Sequence, residues 1–271
     1  MRTCVCAIAK MENNYLREWV EYYKNLGFTK IILYDNNDPD GESPAEVIGD
    51  FIESGFVELV DVRGERNYQG KAYLDCYRRA CNEFDWFFFF DIDEYLVLES
   101  KYRNCVDNFL SEPFFDGADI IRVRWHMMSD SGHVRIENGD YSLVDRFTIP
   151  VPNQWCAWTK AIVRGGIENL SFDVDNSEAS SHIVRCDGIN RAVDCCGNAV
   201  PNDTGNQELT FENAYLNHYY TKTVEEYVLN RLKKGWPMKD DGMPDFNKDF
   251  FFYFNERTEE KERLFDELLN R

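Results

Sequence analysis

The apolar positions of the first ninety residues fall into two alternating patterns. Residues 3–9 (TCVCAIA), 29–34 (TKIILY), 56–62 (FVELVDV) and 86–91 (WFFFFD) are short apolar runs of strand length. Between them the spacing changes. Leu16, Trp19, Val20 and Tyr23 recur at one helical face, and Gly27 is placed to end that helix. Pro44 opens a second helix that runs to about Ser54, with Gly55 after it, and residues 71–84 carry a third helical pattern. The fourth run is apolar on both faces up to its closing Asp91, as expected of a central strand buried on both sides.

Repeated strand–helix alternation predicts an α/β fold with a mostly parallel central sheet flanked by helices and joined by right-handed crossovers. Ligands of such sheets bind beyond the carboxyl ends of the strands. Three polar clusters occupy those ends: Lys10-Met11-Glu12, Asp35-Asn36-Asn37 and Asp91-Ile92-Asp93-Glu94. The second half is less regular. Residues 118–125 and 160–164 read as strands, and 223–234 and 257–270 as helices. Residues 126–160 are loop-rich, and 171–210 are polar and carry no clear periodicity.

Composition narrows the chemistry. A net charge of −19 over 271 residues repels a phosphate backbone, so nucleic acid is excluded as an expected partner. A nucleotide is still admissible, because a bound divalent cation reverses the local sign. The nine cysteines are odd in number and include no Cys-x-x-Cys pair, so no zinc site of ordinary spacing is visible. Cys4, Cys6, Cys76, Cys81 and Cys105 fall in apolar or helical patterns and read as reduced thiols in a reducing compartment. No apolar run is long enough to span a bilayer, and no secretory leader is evident. The expected location is the cytoplasm, with peripheral contact to a membrane compatible with the composition.

Asp91-Ile92-Asp93 at the end of the aromatic strand projects two carboxylates from the sheet edge. Mg²⁺ and Mn²⁺ take oxygen ligands, usually a few carboxylates completed by substrate phosphates and water. A cation held there neutralises charge on a departing diphosphate. Asp93 is the expected direct ligand, with Asp91 acting through water or a ribose. Two solvated acids at a strand end are the bland alternative.

Of the four histidines, His218 is the strongest candidate for metal or diphosphate, with His182, His126 and His133 behind it. Lys160, Lys222 and Arg164 can supply positive charge to a diphosphate or pair with surface carboxylates. Trp125, Trp155 and Trp158 can stack on a sugar or fill a core. An inverting transfer needs a base at the acceptor hydroxyl, and Glu94, Asp130, Asp145 and Asp187 are candidates between which spacing does not choose. Glu94 follows the carboxylate motif directly and can equally act by orienting it.

A longer set of residues carries a resemblance. It comprises Ala9-Lys10-Met11-Glu12 with Leu16 and Glu18-Trp19, Tyr34-Asp35-Asn36, Gln69 with Ala72-Tyr73 and Asp75-Cys76, and Trp86 with Asp91-Ile92-Asp93-Glu94-Tyr95. It continues with Trp125, Gly132-His133, Lys160 with Ile162-Val163, and His218-Tyr219 with Lys222, Glu225, Glu226 and Tyr227. In this order the chain resembles the family-2-like glycosyltransferases of the GT-A fold, close to the domain of unknown function 23 and the family 92 enzymes, over about residues 3–235. The chain departs from the family pattern at Met11, where Asn is usual, and at Trp125–Gly132, where a Trp-x-x-Phe-Gly-x-x-Gly is usual.

The resemblance implies a UDP-sugar donor and a divalent metal, Mn²⁺ or Mg²⁺. It implies Ala9, Glu12, Asp35 and Asn36 beside the uracil and ribose, and Gln69 and Tyr73 near the nucleotide. Asp91 and Asp93 would serve ribose and metal, and His218 a further metal or diphosphate contact. The expected protein is a hexosyltransferase acting on a glycan or lipid-linked saccharide. Its expected layout is one domain over 1–236, with a donor half to about 117 and an acceptor half from 118, then a helical extension over 237–271. A non-catalytic sugar-nucleotide module and an Asp-x-Asp phosphohydrolase are the alternatives.

Overall fold

The expected elements of the first half form within a few residues of their predicted bounds. In chain order they are β1 (Thr3–Ala9), α1 (Asn13–Asn25), β2 (Lys30–Asp35), α2 (Ala45–Glu53), β3 (Val57–Asp61), α3 (Gln69–Ala80) and β4 (Trp86–Phe89). Then come β5 (Glu94–Leu98), α4 (Val106–Leu110), β6 (Ile120–Met127), α5 (Leu143–Arg146), β7 (Thr159–Arg164), β8 (Ser171–Phe172), β9 (Val184–Arg185), β10 (Ala192–Asp194) and β11 (Ala214–His218). The last helices are α6 (Val224–Glu226), which runs on in π-helical form over Tyr227–Leu232, α7 (Lys248–Phe254) and α8 (Glu259–Leu269). The computed structural model describes residues 1–137, 139–152, 158–172, 184–185, 191–201, 207–232 and 248–270.

Among the described residues the main sheet has the order β3-β2-β1-β4-β7-β6-β11-β5, with β10 paired to β6. From β3 to β4 all pairs are parallel, and β7 runs antiparallel to both of its neighbours. The α/β class and the flanking helices are as the pattern predicts; the antiparallel insertion of β7 beside β4 is the addition. Register brings four strand ends to one edge, with Ala9 opposite Asp35, Asp35 opposite Asp61, and Cys6 opposite Phe89. Asp91 therefore follows β4 at the edge where Lys10, Asn36 and Val62 leave their own strands.

The aromatic run works because β4 is covered on both faces. Trp86, Phe87, Phe88 and Phe89 are at most 2% exposed. Phe87 and Phe89 point into a cluster with Cys4, Cys6, Tyr34, Cys76 and Tyr77. Phe88 meets Phe28 edge-on on the other face, at 4.7 Å between centroids. Each such ring contributes roughly 1.5–3 kcal/mol by leaving water. Cys4, Cys6 and Cys76 are thus buried core thiols, and burial pushes all three above the ordinary thiol range.

The chain divides into two compact units, Met1–Trp125 with Cys156–Asn217, and His126–Trp155 with His218–Arg271. The first holds the sheet. The second has its own core of Val224, Tyr227, Val228, Phe251, Leu264, Phe265 and Leu268. Among the described residues no helix is long and apolar enough to cross a membrane.

Candidate active site

Asp91 lies in a turn held from four sides within the first unit. Helix α1 holds its backbone. The stripe that buries Trp19 and Tyr23 also aims their polar tips at the turn. Trp19 Nε1 donates to the carbonyls of Asp91 and Glu94 at 3.0 and 3.1 Å, and the Tyr23 hydroxyl donates to the Glu94 carbonyl at 2.9 Å. The Glu94 N–H closes the turn on the Asp91 carbonyl at 3.1 Å.

The Asp91 carboxylate is held by α3 and β7. Gln69 and Tyr73 are one helical turn apart on α3, so their side chains share a face. Gln69 Nε2 and the Tyr73 hydroxyl donate to Asp91 Oδ1 at 2.7 and 2.9 Å. Lys160 Nζ donates to Oδ2 at 2.7 Å. Burial keeps the Tyr73 phenol protonated, aided by the nearby Asp91 charge, so it remains a donor. Burial alone would raise the Asp91 carboxyl, but the Lys160 ammonium and these hydrogen bonds hold it below the ordinary range. The Asp91 side chain is 29% exposed and that of Lys160 is 1% exposed.

Glu94 is fully buried. Its Oε1 accepts from Trp125 Nε1 at 2.7 Å and stands 3.3 Å from Lys160 Nζ, and its Oε2 accepts from the Asp91 N–H at 2.9 Å. Burial pushes its carboxyl up to about 8, although Lys160 acts in the opposite direction. Trp125 is thereby an anchor of the turn, the packing alternative of the two expected for it. Asp93 is 7% exposed on the same turn.

The neighbouring loops are organised by a residue that the sequence did not mark. Arg63, just past β3, donates to Asp35 Oδ2 at 2.8 Å and to the Glu42 carbonyl at 2.8 Å. It also reaches the carbonyls of Asp38, Pro39 and Gly41 at 3.4–3.5 Å. Asp35 Oδ1 accepts from Asn37 Nδ2 at 2.7 Å, and Asn36 Nδ2 donates to the carbonyls of Val62 and Glu65, each at 2.9 Å. Ala9 is 1% exposed, and its carbonyl accepts from the Asn36 N–H. The Glu12 carbonyl starts α1 by accepting from Tyr15 and Leu16. Met11, at φ +55°, donates its N–H to Asn37 Oδ1 at 2.8 Å. Its place in the loop after β3 gives no hint of this role, because Arg63 acts across loops that only the folded sheet brings together.

The remaining expected residues fall elsewhere. Arg164 pairs in register with Trp86, at the far end of β4 from Asp91, and lies over its ring. It donates to the carbonyls of Ala118 and Phe115, so it is a fastener of that end and not a phosphate ligand. Asp130, His133, Asp145, His218 and Lys222 belong to the second unit. Asp130 is 2% exposed, faces Lys261 Nζ at 2.5 Å and accepts from the Gly132 N–H. Asp145 is exposed in the first turn of α5. His218 is 2% exposed and stacks edge-on with Tyr220. Lys222 is 8% exposed with φ +56°. His182, Asp187 and Trp155 lie outside the described residues.

A metal must be accommodated by what is present. Among the described residues no three of His, Cys, Asp and Glu gather closely enough to hold one. Mg²⁺ and Mn²⁺ also bind through one or two carboxylates completed by substrate phosphates and water. Asp93, a hard oxygen donor on the turn, fits that mode.

A profile of glycosyltransferase family 92 matches residues 1–267. The chain belongs to glycosyltransferase family 92. A family 92 protein of Oryza sativa subsp. japonica is 27% identical over 135 residues, which cover 49% of this chain and 22% of that one. A galactan β-1,4-galactosyltransferase of Arabidopsis thaliana is 30% identical over 105 residues, 36% of this chain and 21% of that protein. The chain spans about a quarter of the length of the curated relatives it matches. Among solved structures, S. aureus TarS in complex with UDP aligns over 100% of this chain and 71% of that one, at 13% identity and a TM-score of 0.49. In this family 92 chain the Asp91–Glu94 turn lies at the edge where β1, β2, β3 and β4 end.

Proposed function

We propose that this family 92 chain transfers a hexosyl group from a UDP-sugar to a glycan or lipid-linked saccharide through a GT-A type donor site. The observation that supports the reading best is the Asp91–Glu94 turn. A half-exposed carboxylate lies beyond the parallel strands, held by Gln69, Tyr73 and Lys160. Open α/β sheets bind nucleotides at that edge. The galactosyltransferase relative is consistent with a sugar-nucleotide donor.

In this reading the loops after β1, β2 and β3 form the base and ribose side, stiffened by Arg63. Asp91 accepts hydrogen bonds from the donor with its orientation set beforehand, which removes the cost of turning it during reaction. Asp93 would hold the divalent ion. That ion, when bound, stabilises negative charge on the departing diphosphate, and this is the kind of term that dominates such transfers. Glu94 acts by position: it is buried, and both oxygens already accept hydrogen bonds. Asp130 is likewise committed to Lys261, so neither acid is set up as a base toward an acceptor hydroxyl. Asp91 is also poorly suited to attack phosphorus, since both its oxygens accept from neighbouring donors, which weighs against the phosphohydrolase alternative.

The test is thermal unfolding with a panel of UDP-sugars, with and without Mn²⁺, on the wild type and Asp93→Ala. A ligand at about a hundred times its dissociation constant stabilises by roughly 2.7 kcal/mol, enough for a clear shift. The reading requires a shift with at least one UDP-sugar that Mn²⁺ enlarges, and loss of that enlargement in Asp93→Ala. No shift with any nucleotide sugar would discard it. Binding without transfer to any acceptor would leave a sugar-nucleotide module.

A further inference from the structure

The turn that follows β6, in the second unit, has an unusual backbone. Ser131 and Gly132 both lie in the left-handed region, at φ +50° and +85°. That conformation strains a residue with a side chain, and it persists only where the surroundings fix it. Here they do. The hydroxyl and N–H of Ser129 both donate to the Ile149 carbonyl, at 2.7 and 2.9 Å, and the Ile149 N–H donates to the Ser131 hydroxyl at 2.9 Å. Asp130 is the centre. Its N–H donates to Asn255 Oδ1 at 2.6 Å, and its Oδ2 stands 2.5 Å from Lys261 Nζ. Its Oδ1 and its carbonyl accept from the N–H groups of Gly132 and His133, each at 2.9 Å. Asn255 directly follows α7 and Lys261 lies in α8, both in the stretch expected only as a helical extension.

This accounting leaves the turn one-sided. Every backbone N–H from Ser129 to His133 is spent within the second unit. The carbonyls of Ser131 and Gly132 accept nothing from the described residues, and the His133 imidazole makes no hydrogen bond to them; its ring meets Phe147 edge-on at 6.0 Å. Gly132 is exposed, and Ser131 and His133 are half-buried. The tip therefore offers two carbonyl acceptors and an imidazole, and no backbone donor. It suits a ligand that brings hydroxyl groups. Phosphates and carboxylates, which need donors, find little there. The net charge of −19 acts in the same direction.

We infer that the Ser131–His133 tip binds the hydroxyl groups of a neutral saccharide acceptor, on the Ser131 and Gly132 carbonyls and the His133 imidazole, and that Asn255 and Lys261 are positioning residues that hold it through Asp130. The two helices at the end of the chain are then part of the acceptor machinery, although neither supplies a group to the sugar. The inference deepens the transferase reading and rests on it for the presence of an acceptor.

The experiment applies the full chain, without nucleotide, to an array of immobilised neutral and acidic saccharides. The wild type is expected to be retained by neutral saccharides and not by sialylated, uronate or sulfated ones. On the saccharide that retains it best, His133→Ala is expected to weaken binding by about three- to tenfold, the worth of one neutral hydrogen bond. Lys261→Met is expected to match that loss, and Lys261→Arg, which keeps a cation for Asp130, to recover most of it. In transfer to the same saccharide both losses should appear in the acceptor KM, with the donor KM unchanged. A lysine that only held the fold would not move one KM alone. Should Lys261→Met fail to fold, Lys261→Met/Asp130→Asn removes one charge of each sign and carries the same expectation. Retention by no neutral saccharide, wild-type binding in His133→Ala, or unchanged binding in a folded Lys261 variant overturns the inference. No UDP-sugar enters the array, so a failed donor site leaves its result standing, and a blank array leaves the donor site to its own test.

Discussion

Asp91 and Asp130 each face a lysine ammonium, at 2.7 and 2.5 Å. Their settings differ. Asp130 and Lys261 are 4% and 3% exposed at their side chains, sealed inside the second unit. The second unit holds a further sealed pair, in which Arg146 donates two hydrogen bonds to Glu226 at 2.7 and 3.0 Å. Glu226 also accepts from Thr223, whose hydroxyl caps the helix that follows. Asp91 instead keeps 29% of its side chain exposed while its partner is buried. A buried ion pair is therefore no mark of a site by itself, since such pairs also serve to hold elements together. What sets Asp91 apart is exposure on one side, fixed donors on the other, and a place at the end of a parallel strand.

This contrast can be broken by experiment, and turnover should respond most. With a UDP-sugar donor, Asp93→Ala is expected to lower turnover by about 10²–10³-fold, the range for losing one electrostatic contact to a developing charge. Circular dichroism and the unfolding midpoint should stay those of the wild type. A parallel collapse of the fold would place Asp93 with the sealed pairs.

The reverse pattern is expected in the second unit. Glu226→Ala leaves Arg146 buried without its carboxylate and should cost about 3–5 kcal/mol in urea unfolding. Under conditions where the variant is folded, UDP-sugar affinity in the first unit should be unchanged. A specific loss of nucleotide binding would show that the two pairs are not different in kind.

Tyr73→Phe should fall between these. It removes one of three donors to Asp91, and a hydrogen bond to a charged group is worth about 1.5–3 kcal/mol. Donor affinity is expected to fall by about tenfold on that basis. Calorimetric titration of the UDP-sugar checks it, and an unchanged affinity would mean that Gln69 and Lys160 suffice to orient Asp91.

The smallest effect belongs to Arg17, whose pairs with Glu21 and Asp50 lie in water. Salt and side-chain entropy cancel most of such contacts. Arg17→Ala should leave both the unfolding midpoint and UDP-sugar binding unmoved.

The same contrast explains what could be read in advance. β1 to β4 and α1 to α3 were legible because each buries a periodic face, and the periodicity is local. The edge carrying Asp91 was legible too, since it follows from strand order. The strand β5, only Glu94–Leu98, was not expected, because it begins within the acidic cluster that reads as a strand end. Lys160 was legible only as a positive charge that could meet a phosphate or a carboxylate. Its partner is 69 residues away, and only the antiparallel placement of β7 beside β4 brings them together. Arg63 and the indole of Trp19 were missed for the same reason. Periodicity marked Trp19 as buried, but it could not say that its one polar atom would reach the carbonyl of a residue 72 positions on.

Arg63 carries a kinetic consequence. Its guanidinium collects the carbonyls of Asp38, Pro39, Gly41 and Glu42 while pairing with Asp35. Fixing the backbone of one residue costs roughly 1–2 kcal/mol in entropy. A segment of this length that ordered only around its ligand would charge that cost to every encounter. Here the chain has met it once, during folding. A nucleotide reaching this edge would find a finished wall, and its capture would be limited by diffusion and orientation instead of by waiting for a loop to close.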